Sequence, residues 1–302
     1  MTMYMFGRRH LLFVWSVSGL GKRQIIQCIT TAAYNFNISG FMNGRIFREE
    51  SKAVCVPGLN CYSCPGAVAA CPLGALQSAF SGTVLRIPFY ILGTLLLFGI
   101  IFGRFICGWL CPFGFIQDLL YRIPGPKIKH VPGVSVLRWF RYMIAVLFVC
   151  ILPVAAYLIS GIGEPAFCKY ICPAGTLEAA VPLLFLDQSL AAAVGWITAW
   201  KFFLLGIFLV SMIFIYRPFC RFVCPLGVWY GLFNHRAVLG ISVLEEHCTR
   251  CGICHQVCPM EATIAGNAEC ISCGKCTDSC PSSAIYFRNP IRHSGIMEEK
   301  TK

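Results

Sequence analysis

Apolar residues gather into four long stretches along this chain, separated by short segments rich in proline, glycine and charge. The first, Gln24 to Phe47, is interrupted by Asn35, Asn37 and Asn43. The second, Leu85 to Phe105, keeps Arg86 and Arg104 at its two ends. The third runs from Leu137 to Ser160 and the fourth from Ala191 to Tyr216. At about 1.5 Å of rise per residue, the last three are predicted to form helices long enough to cross a hydrocarbon core of ~30 Å. Leu177 to Leu186 is also apolar, but it is too short to span and contains Pro182, so it reads as an interfacial or re-entrant piece. Leu11 to Leu20 follows Arg8, Arg9 and His10 as a signal peptide would, yet it has no small-residue cleavage site and ends in Gly21-Lys22-Arg23. It reads as an interfacial lead-in or an over-extended start.

Beyond Leu239 the apolar runs stop and cysteines crowd together, which divides the chain four ways. Residues 1–23 are an N-terminal interfacial segment and 24–239 a transmembrane four-helix domain. Residues 240–290 are a ferredoxin-like domain and 291–302 a polar tail. The predicted fold class is an all-α polytopic membrane protein of about four transmembrane helices, followed by a C-terminal α+β domain for two [4Fe–4S] clusters. Composition agrees: the 302 residues are 57% hydrophobic and only 13% charged, where a soluble domain carries about 25% charge. A net charge of +12 would ordinarily raise nucleic acid as a partner. Here the basic residues stand beside apolar segments, so membrane lipid is the expected partner and nucleic acid is not.

The loops set an orientation. Arg122, Lys127, Lys129, His130, Arg138 and Arg141 follow the second stretch with Asp118 as the only acid, whereas Glu164, Glu178 and Asp187 follow the third against Lys169. By the positive-inside bias the first group is cytoplasmic and the second is outside. Both chain ends, and with them the ferredoxin-like domain, are then cytoplasmic.

The strongest chemical signal is Cys248-x2-Cys251-x2-Cys254-x3-Cys258-Pro259, repeated as Cys270-x2-Cys273-x2-Cys276-x3-Cys280-Pro281. This is the spacing of two-cluster bacterial ferredoxins, in which the fourth cysteine of each run reaches the other cluster. One cluster would take Cys248, Cys251, Cys254 and Cys280; the other would take Cys270, Cys273, Cys276 and Cys258. Gly252 and Gly274 suit the tight turn between ligands. A pair of zinc knuckles is the alternative, and two repeats each ending Cys-Pro weigh against it.

A second repeat, C-x-x-x-C-P-x-G, follows the last three apolar stretches at Cys107/Cys111, Cys168/Cys172 and Cys220/Cys224. Each copy offers two thiols, so a four-thiolate site must pair copies. Cys107, Cys111, Cys220 and Cys224 share the inner face and could form one site, which Cys168 and Cys172 on the outer face cannot join. Cys55, Cys61, Cys64 and Cys71 precede the second stretch and also fall outside, so six outer cysteines could build one cluster or more. Disulfides are the alternative there, because that compartment can oxidise thiols. Cys28 and Cys150 read as buried packing residues. No histidine falls inside a span, which argues against a bis-histidine haem. Lys201 lies inside the fourth stretch, where a charge is costly, and is either functional or turned toward the bundle.

Taken together, Cys107/Cys111, Cys220/Cys224 and the eight ferredoxin cysteines resemble the NapH-type membrane ferredoxins. These are quinol dehydrogenase components of periplasmic nitrate reduction, similar to the membrane halves of NosR and CcoG proteins. The resemblance implies that Cys107, Cys111, Cys220 and Cys224 take part in quinol oxidation or electron hand-over. The outer cysteines are extra to that pattern and turn the expectation away from nitrate. The expected function is membrane iron–sulfur electron transfer between quinone, or a cytoplasmic donor, and a redox partner protein, with two clusters in the ferredoxin domain and one or two more in the membrane domain. The alternatives are an accessory protein supplying electrons for metalloenzyme maturation and a membrane redox sensor. No P-loop, catalytic triad or dinucleotide fingerprint is present in the sequence.

Overall fold

A computed structural model describes residues 21–44, 46–47, 52, 54–81, 88–186 and 194–288. The N-terminal Leu11–Leu20 run, the polar tail, and the starts of the second and fourth apolar stretches lie outside the described residues.

The order is α1 Lys22–Tyr34, α2 Ile38–Asn43, α3 Pro72–Phe80, α4 Phe89–Phe102, α5 Phe105–Trp109 and α6 Pro112–Leu120. Then come α7 Val134–Ser160, α8 Ala166–Tyr170, α9 Pro173–Leu186 and α10 Trp196–Phe214. Next are α11 Pro218–Phe222 and α12 Pro225–Phe233, followed by a small domain of β1 Gly240–Val243, α13 Ile253–Gln256, α14 Lys275–Asp278 and β2 Ile285–Arg288. The two strands pair antiparallel, Gly240 opposite Arg288 and Val243 opposite Ile285.

Among the described residues, two helices are long and apolar enough to cross a membrane: α7 with 27 residues and α10 with 19. They rise roughly 40 and 28 Å. Neither is the core helix of a soluble protein, because Leu158, Ile159, Phe203 and Val210 point away from the bundle, Ile159 being 87% exposed. Inside α7 the backbone widens to a π-helix over Ala145–Ile151, just before Pro153. A second π segment, Thr176–Ala180 in α9, precedes Pro182 in the same way. Each proline ring would press on the carbonyl four residues earlier, Val149 or Glu178, and the wider turn relieves that contact.

The other two expected spans are corrected. The first breaks at Asn35–Asn37, because these asparagines hold the cysteine loop rather than extend a helix. Asn35 Nδ2 donates to Asn60 Oδ1 (3.0 Å) and Asn37 Nδ2 donates to the Pro65 carbonyl (3.0 Å). The second shortens to the 14 residues of α4, opened by Pro88 and closed by Gly103 at φ +50°. Cys28 and Cys150 are exposed rather than buried, standing on outward apolar surfaces beside Ile29 and Ile151. On a membrane protein such a face is as apolar as a core, so sequence does not distinguish the two.

The short helices α5, α6, α11 and α12 fold back into the bundle. One continuous core therefore contains Cys71, Cys107, Cys111, Cys172, Cys220 and Cys224 together with Met260 and Ile271 of the small domain. That domain is continuous with the bundle: Val238 and Leu239 N–H donate to the Ile100 and Ile101 carbonyls (3.0 and 2.8 Å).

Candidate iron–sulfur sites

In the small domain the two cysteine runs are built alike. Arg250 and Ser272 have φ +53° and +52°, Gly252 and Gly274 +76° and +84°, and Glu261 and Ser283 +51° and +50°. Each pair lies 22 positions apart in the sequence, so the left-handed turns repeat with the cysteines. A cavity of about 480 Å³ is lined by Cys248, Cys251, Cys254 and Cys280. A tighter one is lined by Cys258, Cys270, Cys273 and Cys276, with Cys254 on the wall of both. Backbone N–H groups of Ala262 and Ser272 donate to the sulfurs of Cys258 and Cys270 at 3.4 Å. The first cavity opens at exposed Cys248 and Cys251, whereas Cys270 and Cys276 are buried, Cys276 in the domain's own small core and Cys270 next to Ile271, which packs into the bundle core.

Across that boundary Gly108, in the first C-x-x-x-C-P copy, lies so close to Ile271 that a Cβ would meet its carbonyl at 2.1 Å. Trp109 Nε1 donates to the Ser272 carbonyl at 2.9 Å. Two glutamates beside ferredoxin cysteines enter a cluster of buried arginines. Glu269 accepts from both terminal nitrogens of Arg141, one at 2.9 Å, and from Arg104 at 3.3 Å. Glu261 accepts from Arg221, and His130 Nδ1 lies 3.0 Å from its other oxygen. Burial pushes the Glu269 carboxyl up, but Arg104 and Arg141 outweigh it and hold it below the usual carboxylate range. Asn234 joins the two halves as well, accepting from Arg104 N–H (2.9 Å) and donating to the Cys270 carbonyl (2.9 Å).

Inside the bundle Cys107, Cys111, Cys220 and Cys224 form one buried set, with Cys224 in electrostatic reach of the other three. Gln117 Nε2 donates to Cys220 Sγ at 2.9 Å, and the N–H groups of Gly114 and Leu59 point at Cys111 Sγ (3.4 and 3.5 Å). The arginine three residues before each first cysteine serves the opposite copy: Arg104 donates to the Cys220 carbonyl (3.1 Å), and Arg217 donates to the Cys107 carbonyl. Arg217 also holds Asp118 through two bonds of 2.8 and 2.6 Å. The third copy has proline at that position, and Lys201 supplies the cation instead, its Nζ 3.3 Å from the Cys168 carbonyl.

Of the six expected outer cysteines, Cys61, Cys71, Cys168 and Cys172 line a cavity of about 390 Å³ together with Lys201. Cys55 and Cys64 do not line it. The two bundle sets also stand closer together than the loop charges implied. Leu59 touches Cys111, and the Tyr230 hydroxyl donates to the Pro57 carbonyl (2.9 Å) within electrostatic reach of Cys71, Cys107, Cys111 and Cys224. The folded-back helices bring both sets into one core. Arg104 and Arg141, read as flanking and loop charges, are fully buried in ion pairs. The signal for them was in the sequence: an arginine at the same offset from two cysteine pairs, and another within an apolar stretch.

Among the described residues, no three Cys, His, Asp or Glu side chains converge closely enough to grip a single metal ion. None of the twenty cysteines is in a disulfide. Four-thiol sets spread around cavities, with amide donors aimed at the sulfurs, fit a multi-atom cluster better than one ion.

Comparison with known proteins gives the same chemistry. A family described as a 4Fe-4S binding domain matches three times, over residues 85–130, 142–183 and 196–242. A second 4Fe-4S binding domain family matches residues 241–262. An uncharacterised protein of Methanocaldococcus jannaschii is 32% identical over 54% of this chain and 54% of its own length. The methylamine utilization ferredoxin-type protein MauN of Methylobacillus flagellatus is 27% identical over 64% of the chain and 62% of its own length. The ferredoxin-type protein NapH of Escherichia coli is 27% identical over 62% and 59% respectively. The chain thus spans between about half and three fifths of the curated relatives it matches. No solved structure matches.

Proposed function

This chain belongs to the NapH- and MauN-type ferredoxins, 4Fe–4S electron-transfer proteins associated with membranes, and on that premise we propose that it passes electrons between quinone, or a cytoplasmic donor, and a separate redox partner. In this reading the ferredoxin domain faces the cytoplasm, and α7 and α10 cross the bilayer. Cys248, Cys251, Cys254 and Cys280 hold one cluster, Cys258, Cys270, Cys273 and Cys276 a second, and Cys107, Cys111, Cys220 and Cys224 a further site in the bundle. A bound [4Fe–4S] cluster supplies one-electron chemistry at a potential set by its hydrogen bonds and solvation.

The observation that carries the proposal is the seriation of the cysteine sets. From exposed Cys248 and Cys251, through buried Cys270 and Cys276, the protein continues without a solvent gap across Ile271 and Ser272 to Gly108 and Trp109, between Cys107 and Cys111. The polypeptide keeps water out with Phe113, Phe219 and Tyr230, all fully buried. It also sets positive charge beside the thiolates through Arg104 and Arg217.

The test uses the purified protein in liposomes, with quinol added and bleaching of the iron–sulfur absorbance followed anaerobically. Cys107→Ser and Cys220→Ser should abolish the quinol-dependent bleaching while dithionite still reduces the ferredoxin domain. Unchanged quinol rates in both variants would remove the bundle set from the route.

A further inference from the structure

We propose that Cys61, Cys71, Cys168 and Cys172 are the four ligands of an additional iron–sulfur cluster, and that Cys55 and Cys64 are not ligands. The proposal rests on the reading of the chain as a 4Fe–4S protein and extends it to residues that the family matches do not reach, since those begin at residue 85. The matched segment 142–183 holds three thiols, of which Cys150 stands exposed on the outer surface of α7, so that only Cys168 and Cys172 face the core, two short of a cluster's usual four. The loop ahead of α3 supplies four candidates, and the fold chooses between them.

Cys71 precedes α3, and Cys61 is held where its N–H donates to Glu178 of α9 at 2.7 Å. The Gln77 side chain then ties the two halves together, its oxygen accepting from the Cys168 N–H at 3.0 Å. The result is a cavity of about 390 Å³ with the four cysteines on its wall. A water occupies about 30 Å³ and a zinc ion draws its thiolates in to about 2.3 Å, so a space of this size suits a larger inorganic group. Gly175, next to the cavity, would place a Cβ 3.6 Å from Cys61 Sγ. The two rejected cysteines are held elsewhere: Cys64 Sγ donates to Asn35 Oδ1 at 3.7 Å, and Cys55, bridged through its backbone to Ala70, lies off the cavity wall. Lys201 completes the site. Four thiols that bind iron give up four protons and leave four negative charges, and the ammonium at the Cys168 carbonyl is a nearby cation, with Lys169 also on the cavity wall.

The experiment counts iron and acid-labile sulfide in anaerobically purified full-length protein. Cys61→Ala/Cys71→Ala and Cys168→Ala/Cys172→Ala should each lose about four irons relative to the parent, whereas Cys55→Ala/Cys64→Ala should lose none. Unchanged EPR signals from the ferredoxin domain certify that each variant is folded. If a double variant does not accumulate, Cys71→Ser gives the same readout as an altered or missing EPR signal. Iron retained in Cys61→Ala/Cys71→Ala, or the same loss in Cys55→Ala/Cys64→Ala, overturns the assignment. A parent protein with only about eight irons overturns it too while leaving the ferredoxin reading intact, and a parent without ferredoxin signals overturns that reading instead.

Discussion

Glu269→Gln is the perturbation that best tests how the ferredoxin domain is held. The substitution keeps size and shape but removes the charge that faces Arg104 and Arg141, both fully buried. Removing one partner of a buried ion pair costs about 3–5 kcal/mol, because the remaining charge has no compensation. Arg104 keeps bonds to the Ala268 and Cys220 carbonyls, which places the expected cost near the lower end, about 3 kcal/mol. The amides of Val238 and Leu239, bonded to the end of α4, report on separation of the domain from the bundle. Since about 1.4 kcal/mol is tenfold, their hydrogen exchange should accelerate roughly 100-fold in Glu269→Gln. Glu245→Gln, at an exposed position of the same domain, should leave it unchanged. Exchange in Glu269→Gln within twofold of the parent would show that the ion pairs do not hold the domain, and the argument from buried charge would fail.

Further predictions follow from the same geometry. Gly108→Ala should prevent docking, because its Cβ would lie 2.1 Å from the Ile271 carbonyl; Gly206→Ala, with nothing within 4 Å, should be neutral or stabilise α10 by up to about 1 kcal/mol. Comparing expression and thermal stability of the two variants checks this, and equal behaviour would contradict the close approach. Arg217→Lys cannot keep the two-pronged grip on Asp118 and should cost about 1.5–3 kcal/mol, read as a lower unfolding temperature in detergent. Glu261 and Glu269 are both held below the usual carboxylate range, so their contribution is complete above the unfolded value of about 4.3 and is lost only as pH falls through the depressed values. Protection of the Val238 and Leu239 amides, corrected for intrinsic exchange, should therefore be flat from about pH 5 to 8, and a decline inside that window would contradict it.

What could be read from the chain was whatever depends on near neighbours. The paired C-x2-C-x2-C-x3-C-P runs, the two long apolar helices and the proline-marked helix ends are local patterns, and their elements form as spacing and propensity dictate. What could not be read depends on partners distant in sequence. Asn35 and Asn37 look like polar faults in a span until Asn60 and Pro65 are seen to receive them. In sequence Cys64, followed by Pro65 as in the other Cys-Pro runs, stands ahead of Cys61; Glu178 and Asn35, each reached through the tertiary fold, reverse that order. Arg141 reads as a loop charge because sidedness rules take a cation to be solvated; Glu269, 128 residues later, makes it an interior one. Charge bias therefore overstated the separation of the two bundle sets.

The buried arginine–glutamate contacts also decide what kind of carrier this ferredoxin domain can be. Many redox domains work as tethered arms, loading at one place and discharging at another. Here the inner end of the domain is locked into the bundle by Arg104, Arg141 and Arg221, and the segment after α12 is itself bonded to α4. There is no free swing. The domain is a fixed socket whose accessible edge is the one carrying Cys248 and Cys251, and whatever exchanges electrons with it from solution must travel to that edge.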